Sequence, residues 1–437
     1  MKAIVARTST SGQDFATFGR VSGPRRLAFP LALGSFTSPL GRRLTAGQEI
    51  LILHIGVRIP APEPQLSRLR LAGRERPTRG TLSSIPVSLS TLLLDNAAAA
   101  LDRAVVLAIQ RRNRRSQARA EVLSHDERMV RLAEIREAYG EPALLGTPDA
   151  YFVPPPKVSP TLRPVRSLSG GGAVLDASWP STSMPYLEGV RDAYLGYEAN
   201  RTAHARLYVA GTPRPAVVLV HGYMAGAWAI EERAWPIEWM HRIGLDVALV
   251  VLPFHALRGP AGGGSPPFPG ADPRFTNEGF RQAIADLRVL IDVLRERGAP
   301  SVGVMGMSLG GYTTSLLATL NADLSFAVPI IPLASIADFA RDQGRLGTGP
   351  QAALQHRALE AANEVVSPLS RPSLIPAERM LIVGAEADRI TPIAHAERLA
   401  EHFGAPLLRV TGGHLMQVWR RQAFREVRKL WRRLDVV

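Results

Sequence analysis

The chain has 437 residues, of which 46% are hydrophobic and 21% charged, enough for a large core and too apolar for wholesale disorder. A mean hydropathy near zero excludes a polytopic membrane protein, and the absence of cysteine excludes a disulfide framework, a thiolate nucleophile and any Cys-ligated zinc or iron–sulfur site. The net charge of +14 sits at the two ends: residues 1–90 carry thirteen Lys/Arg against four Asp/Glu, and residues 415–437 seven against two. The stretch 91–414 is therefore neutral. A nucleic-acid surface places its basic residues on a folded face with aromatics or a known module, so no nucleic acid is expected as a partner.

Residues 1–88 are rich in Arg, Pro, Ser, Thr and Gly, and their one strand-like run is Ile50–Val57. They read as a disordered basic segment, or as a gene start placed too early, since no methionine falls between Met1 and Met129. No long apolar stretch follows Lys2, so no secretory signal is expected and a cytoplasmic setting is the simpler reading. From 89 to 150 the pattern is helical. Leu92–Ile109 imitates a membrane span, but Asp95, Asn96, Asp102 and Arg103 interrupt it at a cost lipid does not tolerate. An amphipathic helix ending in the cluster Arg111-Arg112-Asn113-Arg114-Arg115 fits better. Such a cluster is a solvated helix end favoured by the dipole, with weak peripheral contact to an anionic membrane as the alternative. Ser124-His125-Asp126-Glu127 has the form of a helix start.

Residues 151–202, with Pro154-Pro155-Pro156 and Gly170-Gly171-Gly172, read as a wrapping segment. From 203 to 437 apolar runs alternate with helical periodicity. Strands are expected at 205–210, 216–220, 246–252, 301–305, 326–331, 380–383 and 407–410. Helices are expected at 226–242 with a kink at Pro236, and at 277–297, 309–320, 393–403 and 415–434. This alternation predicts an α/β fold, a mostly parallel sheet with helices on both faces. The interval 332–378 is longer than a simple crossover needs and is a candidate lid.

Gly306-Met307-Ser308-Leu309-Gly310 is a G-x-S-x-G pentapeptide. Alone it is a weak signal. Here it directly follows an expected strand and precedes an expected helix, the setting in which the turn holds a serine hydroxyl exposed over a helix N-terminus. A serine nucleophile needs a base, and the base needs an orienting acid. Asp388 follows one downstream strand and His414, in Gly412-Gly413-His414, follows the last. Glu386 and Asp338 are alternatives for the acid. His255 and Arg258, in the loop after the strand at 246–252, are candidates to bind a substrate carboxylate or phosphate, or else to anchor that loop. The remaining histidines show no metal-ligand spacing.

With Val220-His221-Gly222-Tyr223-Met224 added upstream, the set resembles the alpha/beta hydrolase superfamily over about 203–435. That resemblance implies a serine hydrolase with Ser308 as nucleophile, His414 as base and Asp388 as acid. It implies an oxyanion hole from the backbone N–H groups of Tyr223 and Leu309, and a turn-stabilising role for His221. No metal or organic cofactor is implied, and the expected partner is a small-molecule ester or related acyl substrate. Acyl transfer to an alcohol or thiol on the same residues, and a non-catalytic hydrolase-like binding protein, are the alternatives. One scaffold hosts many chemistries, so chain length, leaving group and oligomeric state stay open.

Overall fold

Val217 and Leu219 face one side of a sheet and Ala216, Val218 and Val220 the other, and all five are buried. A strand buried on both faces needs cover on both, and that requirement organises the chain. The computed structural model describes residues 89–117, 123–169, 171–261 and 264–437. The expectations for 1–88, including the run Ile50–Val57, lie outside the described residues. Nine strands form one sheet: β1 (Thr161–Ser167), β2 (Ala173–Pro180), β3 (Thr202–Val209), β4 (Ala216–Val220), β5 (Asp246–Val250), β6 (Val302–Met307), β7 (Ala327–Ile330), β8 (Ile382–Ala385) and β9 (Leu407–Val410). Their order is β1-β2-β3-β5-β4-β6-β7-β8-β9. The first three strands and the β3–β5 pair are antiparallel, and every pairing from β5 through β9 is parallel. This mixed, mostly parallel α/β sheet with helices on both faces is the fold class that the alternation of apolar runs and helical periodicity predicts.

The principal helices are α1 (Leu89–Gln117), α2 (His125–Tyr139), α3 (Pro273–Glu296), α4 (Leu309–Ala318), α5 (Ile336–Asp342), α6 (Gly349–Ala362), α7 (Ala394–Phe403) and α8 (Arg420–Arg433). α2, α3, α4 and α7 pack on one face of the sheet through residues such as Ile135, Leu287, Leu316 and Leu399. α8 packs on the other through Phe424, Val427, Leu430 and Trp431. α3 begins four residues before the apolar periodicity does, because Asp272 accepts a hydrogen bond from the Arg274 N–H and Pro273 fills the first helical position. The break at Pro236 divides two short helices, Trp228–Ala234 and Ile237–Arg242. Ser124 caps α2 in a reciprocal pair with Glu127.

The segment 151–202, read from the sequence as a wrapping segment, supplies the hairpin β1–β2. Its turn contains Gly171 and Gly172 at φ 88° and 103°. Gly172 cannot be replaced there, since a Cβ would lie 2.3 Å from the Val209 carbonyl oxygen. The interval 332–378, the candidate lid, holds the helices α5 and α6. Its helix α6 is tied to α2 by Gln355, which accepts from the Gly347 N–H at 2.9 Å and contacts His125 Nδ1 at 2.9 Å. Among the described residues no helix is long and apolar enough to cross a membrane.

α8 closes the face beneath the loop that follows β9, and Trp431 is its deepest anchor, fully buried and stacked on Trp239 at 5.9 Å. Trp431→Ala is expected to lower stability by about 3–5 kcal/mol, read as a shift in the urea unfolding midpoint.

Candidate active site

β6 ends at Met307, and the chain reverses into α4 within one residue. Ser308 sits at φ 57°, ψ −113°, a conformation that costs a non-glycine residue about 1–3 kcal/mol. Two glycines make the turn sterically feasible. A Cβ on Gly306 would lie 2.0 Å from the Gly310 carbonyl oxygen, and a Cβ on Gly310 would lie 2.1 Å from the Val220 carbonyl oxygen at the end of β4. The Ser308 N–H donates to the Ile330 oxygen of β7 at 2.9 Å, which fixes the turn to the sheet. Its side chain makes no capping bond to α4, so the serine is not there as a helix cap.

The β4 loop runs beside this turn, and a Cβ on Gly222 would lie 3.5 Å from Ser308 Cβ. His221, fully buried, holds that loop in shape. Its Nε2 accepts from the Leu252 N–H at 3.0 Å, and its Nδ1 donates to the Gly222 oxygen at 2.7 Å. Burial pushes its pKa down to about 4, which keeps the ring neutral and this tautomer in place. Buried Glu231 continues the brace by accepting from the Gly226 N–H and the Trp235 indole. Tyr223, 40% exposed, opens to solvent above Ser308's neighbour Gly222, while Leu309 is buried at the first position of α4.

Asp388 and His414 meet. The imidazole Nδ1 lies 2.7 Å from Asp388 Oδ2, and both side chains are almost fully buried. Asp388 Oδ1 accepts from the Ile390 and Thr391 N–H groups at 2.8 and 2.7 Å, so the carboxylate is aimed by its own loop. Thr391 Oγ1 lies within 3.1 Å of both the carboxylate and the ring, and it donates to the Ile331 oxygen. Burial opposes a charge on His414, but the charge and contact of Asp388, joined by Asp102, outweigh it and raise the imidazole above its ordinary value. Gln417 links the loops, bonding the His414 oxygen at 3.0 Å and Met307 Sδ at 3.1 Å.

The alternative acids are engaged elsewhere. Glu386 pairs with Arg409 at the surface, and Asp338 is shared among His356, Arg341 and Arg398. His255 and Arg258 are both buried. His255 is buried among His221, Tyr223 and Phe268 with Nδ1 on the Pro253 oxygen, and burial holds it neutral. Arg258 is wholly buried in an ion pair with Asp286 at 2.8 Å and bonds to the Val251 and Asn200 oxygens. These contacts are those of a loop anchor, the second of the two roles weighed for it from the sequence. Among the described residues no group of three or more His, Asp or Glu is arranged to hold a metal ion. Sequence reasoning missed the part played by Thr391, and it read Asp95 and Asp102 only as interruptions of an apolar run. Asp102 in fact lies against this site, accepting from the His414 N–H at 2.9 Å.

No protein-family model matches the chain. It is 32% identical over 289 residues to the uncharacterized protein Rv2627c of Mycobacterium tuberculosis (strain ATCC 25618 / H37Rv), which spans 64% of this chain and 68% of that protein. The chain belongs to the family of that protein. The uncharacterized protein MT2702 of strain CDC 1551 / Oshkosh matches over the same shares at the same identity. Among solved structures, acetyl xylan esterase from Paenibacillus sp. R4 is similar at 15% identity and a TM-score of 0.47, over 68% of this chain and 98% of that one. Acylaminoacyl peptidase from Pyrococcus horikoshii is similar at 15% identity and a TM-score of 0.40, over 64% and 42%.

The Arg258–Asp286 pair joins the loop after β5 to α3 in a place water does not reach. Asp286→Ala strands a buried guanidinium and is expected to cost about 3–5 kcal/mol, measured by urea unfolding.

Proposed function

We propose that the chain is a serine hydrolase that cleaves a carboxylic ester or a related acyl compound through an acyl-enzyme. The observation that carries this reading is the buried 2.7 Å contact between His414 and Asp388 at the same sheet edge as the strained turn of Ser308. Folding alone does not ask for an imidazole and a carboxylate, taken from two successive strand ends, to be paired there.

In this mechanism Ser308 Oγ attacks the carbonyl carbon while His414 Nε2 accepts its proton. Asp388, on the opposite ring nitrogen, holds the imidazole with Nδ1 protonated and stabilises the imidazolium as it forms. The oxyanion develops between the N–H groups of Tyr223 and Leu309. Leu309 stands at the N-terminus of α4, whose dipole favours negative charge. His414 returns the proton to the leaving group. Water, activated by the same imidazole, then resolves the acyl-enzyme and frees Ser308.

A fluorophosphonate probe is expected to label the wild-type protein, and to label neither Ser308→Ala nor His414→Ala. With p-nitrophenyl acetate both variants should lose about 10⁴-fold or more in kcat. An unlabelled wild type that is folded by circular dichroism would remove the reading. The pH dependence has a definite sign. His414 must be neutral to accept the proton, so kcat/KM rises with pH through its pKa, which Asp388 lifts above 6.5. Asp388→Asn is expected to reduce kcat by about 10⁴-fold and to move that limb of the profile to lower pH. A wild-type midpoint below the ordinary histidine value would contradict the assignment.

A further inference from the structure

α1 meets the rest of the protein with an unusual face. An amphipathic helix ordinarily turns its apolar stripe inward. Here Ala98, Ala99 and Asp102 are buried and Asp95 is half-buried, while Leu92, Leu93 and Leu107 stand about half-exposed or more. Among the described residues the buried apolar contact of this helix is that of the two alanines with Ala387 and the partly buried Met416. The acids make the specific contacts. Asp102 Oδ2 accepts from the N–H groups of His414 at 2.9 Å and Arg389 at 3.1 Å, and Oδ1 accepts from Leu415 at 3.1 Å. Asp95 Oδ1 accepts from the Gly412 N–H at 2.6 Å. Gly413 lets the helix come this close, since a Cβ there would lie 2.7 Å from Asp102 Oδ2.

One buried carboxylate thus binds His414 itself and the residue that follows Asp388, across two separate loops and from 312 positions away in the sequence. Resting on the hydrolase reading above, we propose that Asp102 is a positioning residue, a clamp that keeps the His414 imidazole and the Asp388 carboxylate in register through the backbones of their loops. Charge-assisted bonds to N–H groups are stronger than neutral ones, and here one carboxylate makes three of them. A displacement of about 1 Å in a reacting group can cost on the order of 10²-fold in rate. The charged groups acting on His414 are Asp388, from the loop after β8, and Asp102, from α1.

The test is Asp102→Asn in the full chain, assayed with p-nitrophenyl acetate and by the rate of fluorophosphonate inactivation. Asparagine keeps the shape but replaces one accepting oxygen with an NH₂ that cannot accept an N–H bond. The expected result is a loss of about 10- to 100-fold in kcat, with KM changed less than about threefold. The acidic limb of kcat/KM should move to lower pH, because a negative charge near His414 is gone. A merely structural role would lower the melting temperature and leave kcat of the folded variant near the wild-type value, while the limb shift reports only that the Asp102 charge acts on His414. A folded Asp102→Asn with wild-type kcat would overturn the proposal, wherever the limb lies. If that variant fails to fold, Asp102→Glu replaces it. It keeps the charge but displaces the carboxylate, so kcat should fall while the limb stays, and wild-type kcat in it would likewise overturn the clamp. A wild type that fluorophosphonate does not label would fail the hydrolase reading itself. A labelled wild type with an unaffected variant fails only the clamp.

Discussion

Everything at the functional edge of this molecule depends on one steric constraint, the reversal from β6 into α4 at Ser308. The strand and helix meet so closely that Gly306 and Gly310 have no room for a Cβ against the Gly310 and Val220 oxygens. The backbone of Ser308 is forced to positive φ, and what holds it there is the packing of the surrounding sheet and helix. β4 and β7 must flank β6 in register, and α4 must be fully buried, as it is. The strain is local, and its support is spread over the core.

Around that turn the molecule places groups in complementary electrostatic states. His221 and His255 are buried without a carboxylate partner and are held neutral, so one can serve as a hydrogen-bonding strut for the Gly222 turn. His414 is buried too but has carboxylates beside it, and its proton affinity goes up instead. Three imidazoles at one end of a sheet thus differ in charge behaviour because of their neighbours and not because of depth.

The sequence made the central features legible because they are local. Apolar runs such as Ala216–Val220 identify buried strands without help from distant residues, and G-x-S-x-G carries its own steric logic. The order Ser308, Asp388, His414 could be read off because each follows a strand. What it hid depends on tertiary neighbours. β1 is exposed along its whole length and carries Arg163, Pro164 and Arg166, so no apolar alternation announces it. Arg258 looks like an anion-binding residue until Asp286 of α3, 2.8 Å away in space and 28 residues away in sequence, is seen to hold it. Asp102 looked like a flaw in an apolar helix, and only the docked loops reveal what it binds.

The outer strands show how the sheet ends without inviting another chain. A free edge carries unpaired N–H and C=O groups that a foreign strand can join. On β1, Pro164 has no N–H to offer, and the register shifts between Pro164 and Arg166, which bends the ladder. Arg163 and Arg166 add charge that an incoming copy would have to set against its own. At the opposite edge Arg409 of β9 is pinned between Glu386 and Glu397, so a strand approaching that side meets a layer of ions. Both outer strands of the described sheet thus carry features that oppose edge pairing, while the parallel centre stays as apolar as its fold requires.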